Sequence, residues 1–229
     1  HPFLALRVFR NPVYSGATVA NFLLTASTGI IIIVSSLLQL ASGVPVDQVG
    51  LMSIGYGVSI LLFIRVGEKL MQRYGARLPM LLSCGTVAVA LCLLLPTNAM
   101  ADTYMTLVVI AYSLFGAGLG LFATASTDSA LATLPESRTG IGSGIFKMAS
   151  SLGSSFGIAI STAIFQDIAY SAEPINLLSE VVTFVGRQDN VTIRQGAMAA
   201  YLYNLIIIVI SFAVIYYTIP KGQGKTSKK

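Results

Sequence analysis

ATVANFLLTASTGIIIIVSSLLQLAS, residues 17–42, carries no charged side chain. A bilayer's hydrocarbon core is about 30 Å thick and takes about 20 apolar residues of helix to cross. This stretch is long enough to span it. Five of its polar side chains, Asn21, Thr25, Thr28, Ser35 and Gln39, recur at helical spacing. At 100° per residue they fall on one stripe about 80° wide. A polar stripe on a membrane helix faces protein or a water-filled cavity. It is read here as a cavity wall of neutral hydrogen-bonding groups, because it runs most of the helix's length. A seam of hydrogen bonds to a packed neighbour is the other reading.

The rest of the chain repeats the pattern. Of its 229 residues 55% are hydrophobic and 10% charged, where a soluble domain carries about 25% charged. That shortage excludes a disordered chain, a coiled coil and a nucleic-acid module, and it leaves too little charge to cover a soluble globule. Further apolar runs lie at about 49–66, 78–96, 103–125, 140–168 and 198–219. Strand alternation is absent, so the expected class is all-α: a polytopic six-helix membrane bundle in a lipid bilayer.

Cation placement sets the orientation. Twelve of the fourteen Lys and Arg residues fall on one side of this topology: Arg7, Arg10, Arg65, Lys69, Arg73, Arg77, Arg138, Lys147, Lys221, Lys225, Lys228 and Lys229. Only Arg187 and Arg194 fall on the other. Both termini are therefore expected in the cytoplasm. Residues 1–16 form a cytoplasmic lead-in, 169–197 an external loop and 220–229 a disordered basic tail.

The helices differ in kind. The fourth carries Tyr112, Gly116, Gly120, Thr124 and Thr127 on one face, a second candidate cavity wall. The fifth is rich in small residues, among them Gly144, Gly153 and Gly157, read as a packing surface. The third and sixth lack a polar face and are expected to meet lipid. Cys84 and Cys92, eight residues apart, are read as two buried, inert thiols on one face. Asp128 and Lys147 flank the turn at 135–139 by similar distances. Charges in spans are costly, so the two are expected to pair across antiparallel neighbours as an ion-coupling or switch site. The only histidine is His1, outside every span, so no Ser–His dyad can form. Neither an enzyme nor a metal site is expected.

RVGEKLMQRYGARLPM, residues 65–80, resembles the cytoplasmic loop signature of the major facilitator superfamily, roughly G-x-L-a-D-R-x-G-R-K. Arg73, Gly75 and Arg77 match it, and its Asp falls on Gln72. Gly118–Gly120, LPESRTGIGSG at 134–144 and LGSSFGIA at 152–159 are similar to a run in the C-terminal half of the fourteen-helix drug:proton antiporters. The resemblance covers nearly the whole chain. It implies a C-terminal six-helix half whose partner is a missing N-terminal half of the same polypeptide. The first and fourth helices would line the central cavity, the second and fifth would meet the other half, and the third and sixth would face lipid. It further implies export of small lipophilic drugs from a bacterial plasma membrane, with the proton as coupling ion and no cofactor. A carrier for a nutrient or metabolite is the alternative, and a non-transporting membrane scaffold the third.

Overall fold

The computed structural model describes residues 6–99, 101–171, 174–175 and 190–222, with side chains from residue 8 onward. Most of the expected external loop and basic tail, with Arg187, lies outside the described residues, as does the side chain of Arg7.

Asn11 starts the first span. Its side chain accepts hydrogen bonds from the amides of Val13 and Tyr14 at 3.0 and 3.3 Å, and Pro12 occupies the first turn. An Asx cap followed by Pro is a strong helix start. Helix α1 runs Pro12–Ala26, passes through a 3₁₀ turn at Ser27–Gly29, and resumes as α2, Ile30–Ser42. At the turn the hydroxyls of Ser27 and Thr28 bond back to the carbonyls of Leu24 and Thr25. The second span is α3, Val46–Met52, and α4, Ile54–Tyr74. The others are α5 (Arg77–Leu94), α6 (Ala101–Leu131), α7 (Glu136–Ala169) and α8 (Val191–Thr218). Among the described residues, six spans are thus long and apolar enough to cross a membrane.

Several helices outrun their apolar segments. Helix α4 continues eight residues beyond Val66, and α6 six residues beyond Ala125. Hydropathy marks the stretch at bilayer depth, whereas the helix ends where its hydrogen bonding is interrupted. For α4 that point is Gly75, at φ +84°, where a Cβ would also strike the backbone of Gly222.

The spans form two triplets, α1/α2–α4–α5 and α6–α7–α8. The first helix of each packs on the middle helix of the other: α1 on α7, and α6 on α4. The first and fourth spans occupy the centre. In their most apolar 18 residues 61% and 56% are buried, against 6% for the second span and 22% for the fifth. Leu51, Leu61 and Leu62 of the second span, Leu82 and Val89 of α5, and Ile206 and Val209 of α8 are exposed. Such a surface suits lipid or a further protein layer, not water.

One end of the bundle gathers the cations. Asn11 bonds to Thr133, Arg77 to Tyr216, and Gly16 abuts Thr218. These contacts bring the start of α1, the α4–α5 turn, the α6–α7 turn and the end of α8 to a common side. The opposite end joins Asn190 to Ala41 and Thr97 to Arg194. The charge asymmetry of the sequence is therefore an asymmetry of the folded molecule.

Two expectations about the greasy helices need correction. Helix α8 has a buried polar face: Arg194, Gln195, Tyr201, Asn204 and Ser211 are all under a tenth exposed. In α5, Cys84 is buried and its thiol reaches Ser211, but Cys92 is exposed. Eight residues turn a helix by about 80° beyond two full turns, enough to rotate Cys92 off that contact.

Candidate functional site

The polar stripe of the first span divides in two. The Asn21 amide donates to the carbonyl of Phe146 at 3.2 Å, and the Thr25 hydroxyl donates to that of Ser150 at 3.0 Å. The Thr28 and Ser154 hydroxyls meet at 3.1 Å. All three partners lie on α7, one helical turn apart. This half of the stripe, expected as cavity wall, makes a hydrogen-bonded seam with α7, in which Asn21 is buried while Thr25 and Thr28 stay half-buried. The physical reason is the small residues of α7, which let the two backbones approach until neutral side chains reach across. Ser35 and Gln39, on α2, remain half-buried and bond to each other at 2.8 Å, with no cross-helix partner. They are the open end of the stripe.

The fourth span is likewise closed where it was expected open. A Cβ on Gly116 would collide with the carbonyl of Tyr56, and one on Gly120 would sit 2.7 Å from the carbonyl of Ile60. Both glycines are seats for α4, not cavity lining. Tyr112 is buried, and its hydroxyl donates to the Ile31 carbonyl of α2 at 3.3 Å. It ties the two central spans together. Thr127 bonds back to Ala123, while the half-buried Thr124 has a buried hydroxyl with no partner.

On α7 the three glycines part company. A Cβ on Gly153 would collide with the Phe22 carbonyl and one on Gly157 with the Ala26 carbonyl, whereas Gly144 has open space around it. Residues 144 and 153 are nine apart, two and a half turns, so they point in opposite directions. Gly153 and Gly157 are corrected to packing within this bundle. Gly144 alone keeps the outward position, on an exposed line with Gly140, Lys147, Ser151, Ser155 and Ala159.

Asp128 and Lys147 are both exposed, and no ion pair joins them. The expected pairing fails because α6 turns to α4 and α5 while α7 turns to α1 and α8. Sequence neighbours across a tight turn are not packed neighbours here.

The loop signature has a visible job. Arg77 donates to the Tyr216 carbonyl at 2.8 Å and lies 4.5 Å over the Tyr216 ring, a cation–π geometry. It fastens the start of α5 to the end of α8. Arg73 rests 5.3 Å over the Tyr74 ring, and Gln72 donates to Glu68 at 3.3 Å.

Sequence reasoning missed a buried polar group at mid-depth. Asn204 on α8 is fully buried and donates to Ser161 on α7 at 2.9 Å. Towards the external end, Tyr104 and Tyr201 bond hydroxyl to hydroxyl at 3.3 Å, and Tyr104 also reaches the Leu94 carbonyl. The signal available was the spacing of Tyr201, Asn204 and Ser211, which fits one helix face. Among the described residues, no cluster of three His, Cys, Asp or Glu side chains could hold a metal ion.

Each three-helix triplet thus lends its first helix to the other, across seams built from glycine and backbone carbonyls. Residues 17–229 match the Major Facilitator Superfamily as a family. The chain belongs to that superfamily. Major facilitators build each six-helix half from two inverted three-helix repeats, which accounts for the exchange of α1 and α6. The chain is also similar to the quinolone resistance protein NorB of Staphylococcus aureus, strains bovine RF122 / ET3-1 and COL. Identity is 37% over 221 residues in both, covering 96% of this chain and 44% of each relative. The chain therefore spans less than half the length of the curated relatives it matches. As a major facilitator it belongs to a transporter family and is a multi-pass protein of the plasma membrane.

Proposed function

We propose that this chain is the C-terminal six-helix half of a proton-coupled efflux carrier, that the carrier exports lipophilic drugs by alternating access, and that the chain performs no catalysis. The observation that carries the reading is its relation to NorB, a quinolone resistance protein, along 96% of its length. The fold supports the same reading. The central spans α1/α2 and α6 are each held by a neighbour through a seam where glycines seat against backbone carbonyls, with one aromatic pair across each, Phe22–Phe156 and Tyr56–Phe115. Such seams let packed helices shift as two halves rock about a midplane site.

The outer half of the first span, with Ser35 and Gln39, is the surface proposed to meet drug. Neutral hydrogen-bonding groups there suit lipophilic molecules of varied structure. The proton is the proposed coupling ion, with no cofactor. Every Asp and Glu among the described residues is exposed, so the proton-binding carboxylate is assigned to the N-terminal half. That half is the proposed protein partner.

The test is efflux by the complete transporter in bacteria lacking other pumps. Ethidium and a fluoroquinolone should accumulate less when it is expressed, and an uncoupler should abolish the difference. Export that survives the uncoupler would overturn proton coupling. Uptake of a sugar or organic acid would favour the nutrient carrier, and no flux at all the scaffold.

A further inference from the structure

Beside the lead-in to α1 the bundle carries a cavity of about 670 Å³ at its cation-rich end. Arg10 and Arg138 line it, together with Asn11 and Thr133. Neither guanidinium has an ion pair or a side-chain hydrogen bond. No Asp or Glu lines the cavity; Glu136 follows the lining residue Pro135 and lies outside it. The remaining lining is apolar, with Val8 only 2% exposed and Leu134 half-buried.

Two further features bear on the ligand, although Asn11 already caps the α1 amides and Glu136 stands in the first turn of α7. It lies at the start of both α1, which begins at the lining residue Pro12, and α7, whose N-cap is the lining residue Pro135. Helix N-termini carry partial positive charge. Its depth is also informative. The first span covers 31 residues, or about 46 Å at 1.5 Å per residue. That exceeds a hydrocarbon core of about 30 Å and puts the ends of the span at headgroup level. Two unpaired arginines, two helix starts and an apolar floor at that level fit an anion with a greasy attachment.

We propose that this cavity binds a phosphate-bearing anion, and that its ligand in the membrane is the headgroup of an anionic phospholipid of the cytoplasmic leaflet. Basic pockets at this face recognise such headgroups by charge. Val8 and Leu134 accommodate the glycerol end, and the arginines take the phosphate oxygens. Asn11 already donates to the Thr133 carbonyl at 3.1 Å across the mouth. A bound phosphate joins Arg10 to Arg138 in parallel with that strap, so it favours the arrangement in which the start of α1 abuts the α6–α7 turn.

The complete transporter in neutral detergent tests this by thermal unfolding. Short-chain phosphatidylglycerol should raise Tm, and phosphatidylcholine should not. In R10Q/R138Q the apparent affinity should fall on the order of thirtyfold, since the two surface cations contribute about 1 kcal/mol each. K221Q, a cation at the same end but outside the cavity, should respond as wild type does. Inorganic phosphate alone separates the two sources. A rise with phosphate that R10Q/R138Q also loses means a free phosphate occupies the site. A rise with the lipid alone means a headgroup. The proposal is overturned if neither probe raises Tm, or if R10Q/R138Q answers like wild type. Should that double variant not fold, R10Q and R138Q singly, read by native mass spectrometry of retained phosphatidylglycerol, decide the matter. Retention equal to wild type in both overturns it.

Discussion

The Arg194 guanidinium donates to the carbonyl of Thr97, while the Thr97 hydroxyl donates back to the carbonyl of Arg194 at 3.0 Å. A further guanidinium bond reaches the Ala99 carbonyl at 3.1 Å. The pair closes the α5–α6 connection onto the first turn of α8, and Arg194 is only 6% exposed. Hydrogen bonds from a charged donor contribute about 1.5–3 kcal/mol each. Arg194→Ala should therefore lower the Tm of the purified transporter by several degrees, with Arg194→Lys intermediate. An unchanged Tm in Arg194→Ala would refute the clamp.

The two kinds of glycine make opposite predictions. Gly116→Ala drives a methyl group into the Tyr56 carbonyl, whereas Gly144→Ala meets nothing within 4 Å. Overpacking against backbone costs about 1–3 kcal/mol, and a helical Gly→Ala change with free space gains about 0.5–1 kcal/mol. Gly116→Ala should unfold at lower temperature than wild type and Gly144→Ala at the same or a higher one. Equal losses in the two would show that α6 does not seat on α4 as described.

The divided stripe of the first span separates stability from selectivity. Thr28→Val and Ser154→Ala each remove one side of the hydroxyl pair. Their coupling in a double-mutant cycle should be about 0.6 kcal/mol, the usual value for a hydrogen bond between membrane helices. The drug profile should stay unchanged. Gln39→Ala should do the reverse, altering which drugs are exported at unchanged Tm. Resistance profiling against a panel of cationic and zwitterionic drugs reads the difference.

Lys147 faces outward without a partner, and Asp128 is exposed on a helix that turns elsewhere. Lys147→Met should shift stability by no more than about 0.5 kcal/mol, as surface substitutions usually do. The cycle with Asp128→Asn should show no coupling. An interaction above about 1 kcal/mol would restore the pair.

The sequence alone determined how many times this chain crosses a bilayer, which end carries the cations and which family it resembles. Each of these depends on local composition: an apolar run is long enough to span or it is not, and Arg and Lys stay out of oil wherever they sit. What only the tertiary structure decided is the direction each helix face looks. Asn21, Thr25 and Thr28 fit a wet cavity or a dry seam equally well, because either satisfies a neutral polar group. Gly116 and Gly153 read as surface or seat until a neighbouring carbonyl is in place. Asn204 was hidden among isoleucines because lipid and a packed core ask for the same side chains around it. Asp128 and Lys147 looked paired because the chain joins their helices, yet the interleaving of the triplets sends those helices to different partners. Contact between helices is set by the shape of both surfaces, and one chain segment records only its own.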